Sequence, residues 1–147
     1  MMESSAQELA EIVAKAMFER DVAVRTQGIT ILETRPGYAR ATMRVRADML
    51  NGHAICHGGI IFTLADSAFA YACNSYNRAT VAAAASIDFL KASHLDDELV
   101  AVATERSRAR RSGIYDVTVH NQKGEAVALF RGRSHELSST VLEAISP

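Results

Sequence analysis

The chain has 147 residues, of which 48% are hydrophobic and 22% are charged, and its formal net charge is -1. This length predicts one domain, residues 1–147, with one core, and the composition excludes a disordered chain. The near-neutral charge argues against a nucleic-acid partner, which usually needs a strongly basic domain. There is no basic start followed by an apolar stretch, and no apolar run reaches the ~18 residues of a membrane span. We therefore expect no membrane partner and, with only two cysteines, a cytoplasmic location.

The first half of the chain alternates between helical and strand patterns. Apolar residues at helical spacing predict an amphipathic helix over residues 6–20, with Ser5 and Glu8 placed as a capping box. Residues 28–34 and 38–45 predict two strands, joined by a turn that contains Pro36 and Gly37. After a loop at residues 51–53, Gly58 opens a run that is apolar on nearly every side, which is typical of a buried helix.

The second half predicts four strands, at residues 81–90, 98–109, 113–121 and 125–136, followed by a loose tail at residues 138–147. An antiparallel sheet with a single internal helix must bury its apolar face on that helix. The fold class expected is therefore α+β, with an antiparallel sheet wrapped around one long buried helix. This arrangement is called the hot-dog fold.

Two residues of the central helix carry the chemistry. Asp66 is a carboxylate in an apolar helix, and an unpaired buried charge is too costly to be kept for stability alone. Gly58 stands where the helix begins, so its backbone N–H is a free donor at the positive end of the helix dipole. Because glycine has no Cβ, a substrate carbonyl can approach that N–H closely. The alternative for Asp66 is a structural carboxylate that is paired with a buried Arg or His or caps a neighbouring element.

The segment 51–66 resembles the active-site segment of hot-dog acyl-CoA thioesterases, most closely the phenylacetyl-CoA thioesterases of phenylacetate degradation. Residues 68–75, 86–90 and 128–135 also match that family. The resemblance implies hydrolysis of an aromatic or medium-chain acyl-CoA during aromatic-acid breakdown, with no cofactor and no metal. It implies Asp66 as nucleophile or general base and the Gly58 N–H as the carbonyl polariser, with Asn51 and His57 positioning loop and substrate. Asn51 could equally stabilise only its own loop through an Asx-type turn.

Helix geometry adds a constraint on this pair. Gly58 and Asp66 are eight positions apart, which separates their backbones by ~12 Å along the helix axis. A short Asp side chain cannot reach a carbonyl held at the start of its own helix. We therefore expect a homo-oligomer whose active sites lie at a dimer interface, and the family resemblance implies that such dimers pair into tetramers.

Further candidates would bind the rest of the substrate. They are Gly59, Ser86, Arg111, Ser112 and Gly113. Arg111 belongs to a cluster of arginines at residues 106–111, which suits CoA phosphates but is equally typical of a solvated strand end. His53, Cys56 and His57 match no standard zinc spacing. Two other functions stay open: a non-catalytic acyl-CoA-binding module, and a hydratase of the same fold.

Overall fold

A computed structural model describes residues 2–145, with side chains for residues 5–144. The helices are α1 (Met2–Arg20), α2 (Val22–Thr26), α3 (Gly58–Cys73) and α4 (Val141–Ile145), with a short 3-10 turn at Ala47–Met49. The strands are β1 (Thr30–Arg35), β2 (Tyr38–Arg44), β3 (Thr80–Phe89), β4 (Glu98–Ala109), β5 (Ser112–His120) and β6 (Ala126–Glu136).

The six strands form one antiparallel sheet in the order β1-β2-β4-β5-β6-β3. The sheet packs its apolar face on α3, which supplies fully buried residues such as Leu64, Ala65 and Ala68 to the core. Small residues allow close packing: a Cβ on Gly132 of β6 would lie 2.8 Å from the ring of Phe69 on α3. The predicted class, an antiparallel sheet around one long helix, is confirmed.

One side of α3 is not covered by the sheet. Gly59 is exposed, and Thr63, Asp66 and Ala70 are partly buried. These four residues recur at helical spacing, so they lie along a single stripe of the helix surface. The sequence, which is apolar nearly all round, predicts complete burial. The structure instead leaves an open stripe, and Asp66 lies at its middle.

Two predictions at the chain ends are corrected. α1 begins at Met2, so Ser5 lies inside the helix and is not its cap. The expected loose tail contains α4, where the Glu143 N–H donates to Thr140 Oγ1 (3.1 Å) and Val141 is only 5% exposed. Residues 146 and 147 of that predicted tail lie outside the described part. None of the helices within residues 2–145 combines the length and the hydrophobicity needed to span a membrane.

Candidate active site

The loop before α3 is held by the side chain of Asn51. Its Oδ1 accepts from the backbone N–H groups of His53 (2.9 Å) and Ile55 (3.4 Å), an Asx-type arrangement. The backbone closes the same loop, since the Asn51 N–H donates to the Ile55 carbonyl at 2.8 Å. The loop-stabilising interpretation of Asn51 is therefore confirmed. The Asn51 Nδ2 group takes no part in these bonds.

The first turn of α3 leaves one amide without a partner. His57 is the N-cap, and its Nδ1 accepts from the Gly59 N–H at 3.0 Å. The N–H groups of Ile60 and Ile61 both donate to the His57 carbonyl, at 2.9 and 3.3 Å. Gly58 N–H is left with no acceptor within the described residues. The free donor at the positive end of the helix dipole is thus the predicted one.

This bonding also involves the two neighbouring candidates, His57 and Gly59. Because His57 Nδ1 accepts a hydrogen bond, the proton of the neutral imidazole lies on Nε2. His57 thereby fixes the conformation of the loop that presents Gly58. Gly59 is exposed, but its N–H is already occupied by His57. Gly59 can therefore contact a substrate through its other atoms, but not by donating its N–H.

The environment of Gly58 includes a residue that the sequence did not single out, Phe89 at the end of β3. A Cβ at position 58 would lie 3.1 Å from Phe89 Cζ, so the ring covers the glycine closely. The side chain of Phe89 is nevertheless 53% exposed. Phe89 lies within the family-like run 86–90, which was the only sign of it in the sequence. The start of α3 and the end of β3 are therefore in contact.

Asp66 lies on the open stripe, two turns further along α3. No hydrogen bond or ion pair joins its carboxylate to another described residue, so the structural alternative of a buried Arg or His partner finds no support here. Burial raises the pKa of the Asp66 carboxyl above its ordinary value. A carboxylate with a raised pKa and no partner is a base that solvent or substrate can engage.

The remaining candidates lie away from this pair within one chain. Arg111 lies in the β4–β5 turn, and Ser112 and Gly113 begin β5. Ser112 is paired with His135 of β6. His135 is in turn paired with Val81, at the opposite end of β3 from Phe89.

The individual environments of these three residues differ. Arg111 and Ser112 are exposed. Gly113 is buried, and a Cβ there would lie 2.8 Å from Ser134 Oγ, so the need for glycine is explained by packing. A ligand can reach Arg111 and Ser112 directly, whereas it reaches Gly113 only through the backbone.

Ser86 lies on the opposite face of the sheet from α3. Its neighbour Ile87 packs against the core, and Phe89 contacts Gly58, so alternation points Ser86 outward. Ser86 shares a shallow outer depression with Asp116 and Arg131. The structure does not bring Ser86 to Gly58 or Asp66.

Comparison with known proteins places the chain in a family. The model of the thioesterase superfamily matches residues 53–128, which include Gly58 and Asp66. The chain is 48% identical over 128 residues to the acyl-coenzyme A thioesterase PaaI of Escherichia coli (strain K12), covering 87% of this chain and 91% of that protein. The chain belongs to the thioesterase superfamily.

Solved structures agree with this assignment. The structure of the E. coli PaaI protein from the phenylacetic acid degradation operon superposes with a TM-score of 0.90 at 47% identity, covering 91% of this chain and 97% of that one. A hypothetical thioesterase from Streptococcus pneumoniae TIGR4, solved with coenzyme A, has a TM-score of 0.73 at 28% identity and covers 76% and 88% of the two chains. The hot-dog fold of this enzyme family is confirmed.

Proposed function

We propose that the protein is an acyl-CoA thioesterase that hydrolyses an aromatic acyl-CoA, phenylacetyl or hydroxyphenylacetyl, or a medium-chain acyl-CoA. The observation that carries the proposal is that the Gly58 N–H and the Asp66 carboxylate, on the same helix, both lack a partner among the described residues. The relatives support it, because the E. coli protein is named an acyl-coenzyme A thioesterase and one homologous structure contains coenzyme A. The operon named for the E. coli structure supports phenylacetate catabolism as the proposed setting.

In the proposed reaction the Gly58 N–H donates to the thioester carbonyl oxygen, where negative charge develops during attack. Asp66 either attacks the carbonyl carbon itself or removes a proton from the attacking water. Collapse of the tetrahedral intermediate breaks the C–S bond, and the sulfur leaves as CoA thiolate and is protonated. Attack by Asp66 would give an anhydride that water then hydrolyses, so both routes end at the free acid and CoA.

A second chain is needed to complete the site. α3 is one continuous helix, so the Gly58 and Asp66 backbones of one chain are ~12 Å apart along its axis. The outer edge of β3 supports a dimer, because β3 is an edge strand that is exposed from Val81 to Ser86. A long uncovered strand edge readily pairs with another chain. The run of alanines on β3 would let a partner approach closely.

An antiparallel pairing of two β3 strands would also bring the β4–β5 turn, which contains Arg111, close to the site of the other chain. β3 spans α3 from Thr80, near the end of the helix, to Phe89, at Gly58. In such a dimer the Arg111 turn of one chain comes to the Gly58 end of the other. We propose that Arg111 and Ser112 of the second chain bind the nucleotide part of CoA. Pairing of these dimers into a tetramer remains part of the proposal.

Complementation between inactive variants tests the composite site. Asp66→Ala and Gly58→Pro are prepared separately and mixed 1:1 under conditions that allow subunit exchange. Each heterodimer then has one site with both defects and one with neither, so activity recovers to about a quarter of the wild-type value. No recovery, despite heterodimers detected by mass spectrometry, would contradict a site shared between chains. Release of CoA thiol from a panel of acyl-CoAs identifies the acyl group, and binding without thiol release would indicate a non-catalytic module.

A further inference from the structure

Ser93, in the connection between β3 and β4, is a buried residue whose hydroxyl has no partner. Its exposure is 0%, and its Oγ is the single buried side-chain nitrogen or oxygen among the described residues that lacks a hydrogen bond. Leaving a buried hydroxyl unpaired costs about 1–3 kcal/mol. Such a cost is expected where a ligand supplies the missing partner.

Ser93 lines a recess at the start of α3. The recess has a volume of about 280 Å³, and its other lining residues include Gly58, Phe89, Asn51 and Lys91. The position of Ser93 is fixed relative to Gly58, because the Ser93 carbonyl accepts from the N–H of Cys56 at 2.8 Å. Cys56 is two residues before Gly58, so this hydrogen bond links the residue with the unpaired hydroxyl to the segment with the unpaired amide.

The rest of the recess wall is mostly apolar, which makes this hydroxyl important for any polar group that enters. The apolar lining consists of Ile55, Cys56, Ile61, Phe89, Leu90 and Ala92. Burial raises the pKa of the Cys56 thiol to about 11, so this side chain stays uncharged. The side chains of Phe89 and Leu90 are each 53% exposed, so this part of the recess wall lies at the protein surface.

The recess combines groups that suit three parts of an acyl-CoA: a free amide, a buried hydroxyl and a cationic side chain. Gly58 would hold the thioester carbonyl, and Lys91, whose side chain is half exposed and bridged to Glu125 at 3.1 Å, supplies a positive charge. The phosphates are the anionic part of CoA, and the pantetheine arm that joins them to the sulfur carries two amides. Ser93 lines the same recess as Gly58 and Lys91.

We infer that the Ser93 hydroxyl hydrogen-bonds an amide of the pantetheine arm, which makes Ser93 a residue that selects the thiol part of the substrate. This inference rests on the proposed function. A hydroxyl both donates and accepts, so it satisfies either the N–H or the carbonyl of that amide. Ser93 then contributes to binding of the thiol leaving group, and its contribution does not depend on the acyl group.

A ladder of thioesters with one acyl group tests the inference. The wild type and Ser93→Ala are compared on phenylacetyl thioesters of CoA, pantetheine, N-acetylcysteamine and ethanethiol. With CoA and pantetheine we expect kcat/KM of the variant to fall about 10-fold, carried by KM, as for one net hydrogen bond. With the ethanethiol ester, which has no amide, the two proteins should be equal. The N-acetylcysteamine ester retains only the amide nearest the sulfur and shows which amide is bound.

Ser75→Ala is the matched control, because Ser75 is buried at the other end of α3 and its hydroxyl is bonded to Gly37 N–H and the Ala72 carbonyl. It should lower the melting temperature and leave KM unchanged, whereas Ser93→Ala should leave the melting temperature unchanged or higher. A loss for Ser93→Ala that persists on the ethanethiol ester, or that changes with the acyl group, overturns the inference. So does an unchanged KM for the CoA ester.

Calorimetry with free CoA and pantetheine separates this inference from the proposed function. A wild-type protein that hydrolyses no acyl-CoA would overturn the function, while a weaker Kd of Ser93→Ala for both ligands would still support the hydrogen bond. Equal Kd values in the two proteins would overturn the hydrogen bond even if acyl-CoA hydrolysis is established.

Discussion

The two ends of α3 are built differently. At the C-terminal end Asn74 Nδ2 donates to the carbonyls of Ala70 (2.8 Å) and Thr80 (3.0 Å), and Asn74 Oδ1 accepts from the Thr80 N–H at 2.9 Å. Ser75 Oγ likewise donates to the Ala72 carbonyl at 2.7 Å. At the N-terminal end the Gly58 N–H and the Ser93 hydroxyl have no partner in the described part of the chain.

The difference separates stability from activity along a single helix. Hydrogen bonds that are complete within the chain stabilise the fold, and groups left unpaired reduce stability unless a ligand engages them. Asp66, on the open stripe, is one of the groups that reduce stability, because its burial disfavours the charge that the reaction needs. Substitutions at the N-terminal end of α3 or at Asp66 should therefore change kinetics. Substitutions at the C-terminal end of α3 should change stability.

The largest effect is expected at Asp66. Asp66→Asn keeps the size of the side chain but removes the nucleophile or base, and we expect kcat to fall about 10³-fold. Thiol release from an acyl-CoA, measured with a chromogenic thiol reagent, gives the rate, and circular dichroism checks the fold. A folded Asp66→Asn protein with wild-type turnover would contradict the proposed role of this residue.

A pair of substitutions at Gly58 isolates the amide donor. Proline is tolerated at the first position of a helix and removes the N–H, and His57 already has the extended backbone (φ -60°, ψ 134°) that a following proline requires. Alanine adds a Cβ against Phe89 but retains the N–H. We expect kcat of Gly58→Pro to be about 10²-fold below that of Gly58→Ala. Equal rates would show that the loss is due to crowding by the added side chain.

A substitution at the C-terminal end of α3 should change the stability of the fold and leave the kinetics unchanged. Asn74→Ala removes three hydrogen bonds to backbone groups from a residue that is 6% exposed, and we expect the free energy of unfolding to fall by about 3 kcal/mol. Below the melting transition kcat and KM should match the wild type. Denaturant titration measures the first quantity and steady-state kinetics the second. A loss of kcat at full folding would mean that the two ends of α3 are coupled.

The sequence predicted the bounds of helices and strands better than it predicted which face of the sheet each side chain occupies. Alternation of apolar and polar residues depends on the local backbone alone, and β4 (Glu98–Ala109) was predicted with its observed bounds. β3 contains five consecutive residues without alternation between Val81 and Ala85, so the sequence could not say which face Ser86 takes. The structure turns Ser86 away from the site, because Ile87 and Phe89 occupy the inner face.

The candidate site was predicted in part for the same reason. The free amide of Gly58 and the position of Asp66 follow from helix geometry and from the resemblance of residues 51–66, which are local in sequence. Ser93 gave no sign in the sequence, since a serine is recognised as unpaired only when its neighbours in space are known. The anchoring of α4 by Asn77 likewise depends on a contact 65 residues apart in the chain.

The smallest expected effect is a pH dependence that follows from the burial of Asp66. Its pKa in the folded protein is raised above the value in the unfolded chain, which is ~3.9 for Asp. Folding therefore favours the protonated form, and the stabilisation is complete below the unfolded pKa and is lost as the pH rises through the folded pKa. The side chain introduced by Asp66→Asn does not titrate. As the pH rises through this window, the free energy of unfolding of the variant should therefore increase relative to that of the wild type.

The same pKa should appear in the kinetics. Only the ionised carboxylate attacks or activates water, so wild-type kcat/KM should fall on acidification with a midpoint above the ordinary Asp value. Stability curves of wild type and Asp66→Asn that run parallel across the window would contradict the raised pKa. If they diverge while the kinetic midpoint stays at the ordinary value, Asp66 is buried as described but another group limits the reaction. Agreement of the two midpoints would connect the stability cost of this carboxylate with its activity.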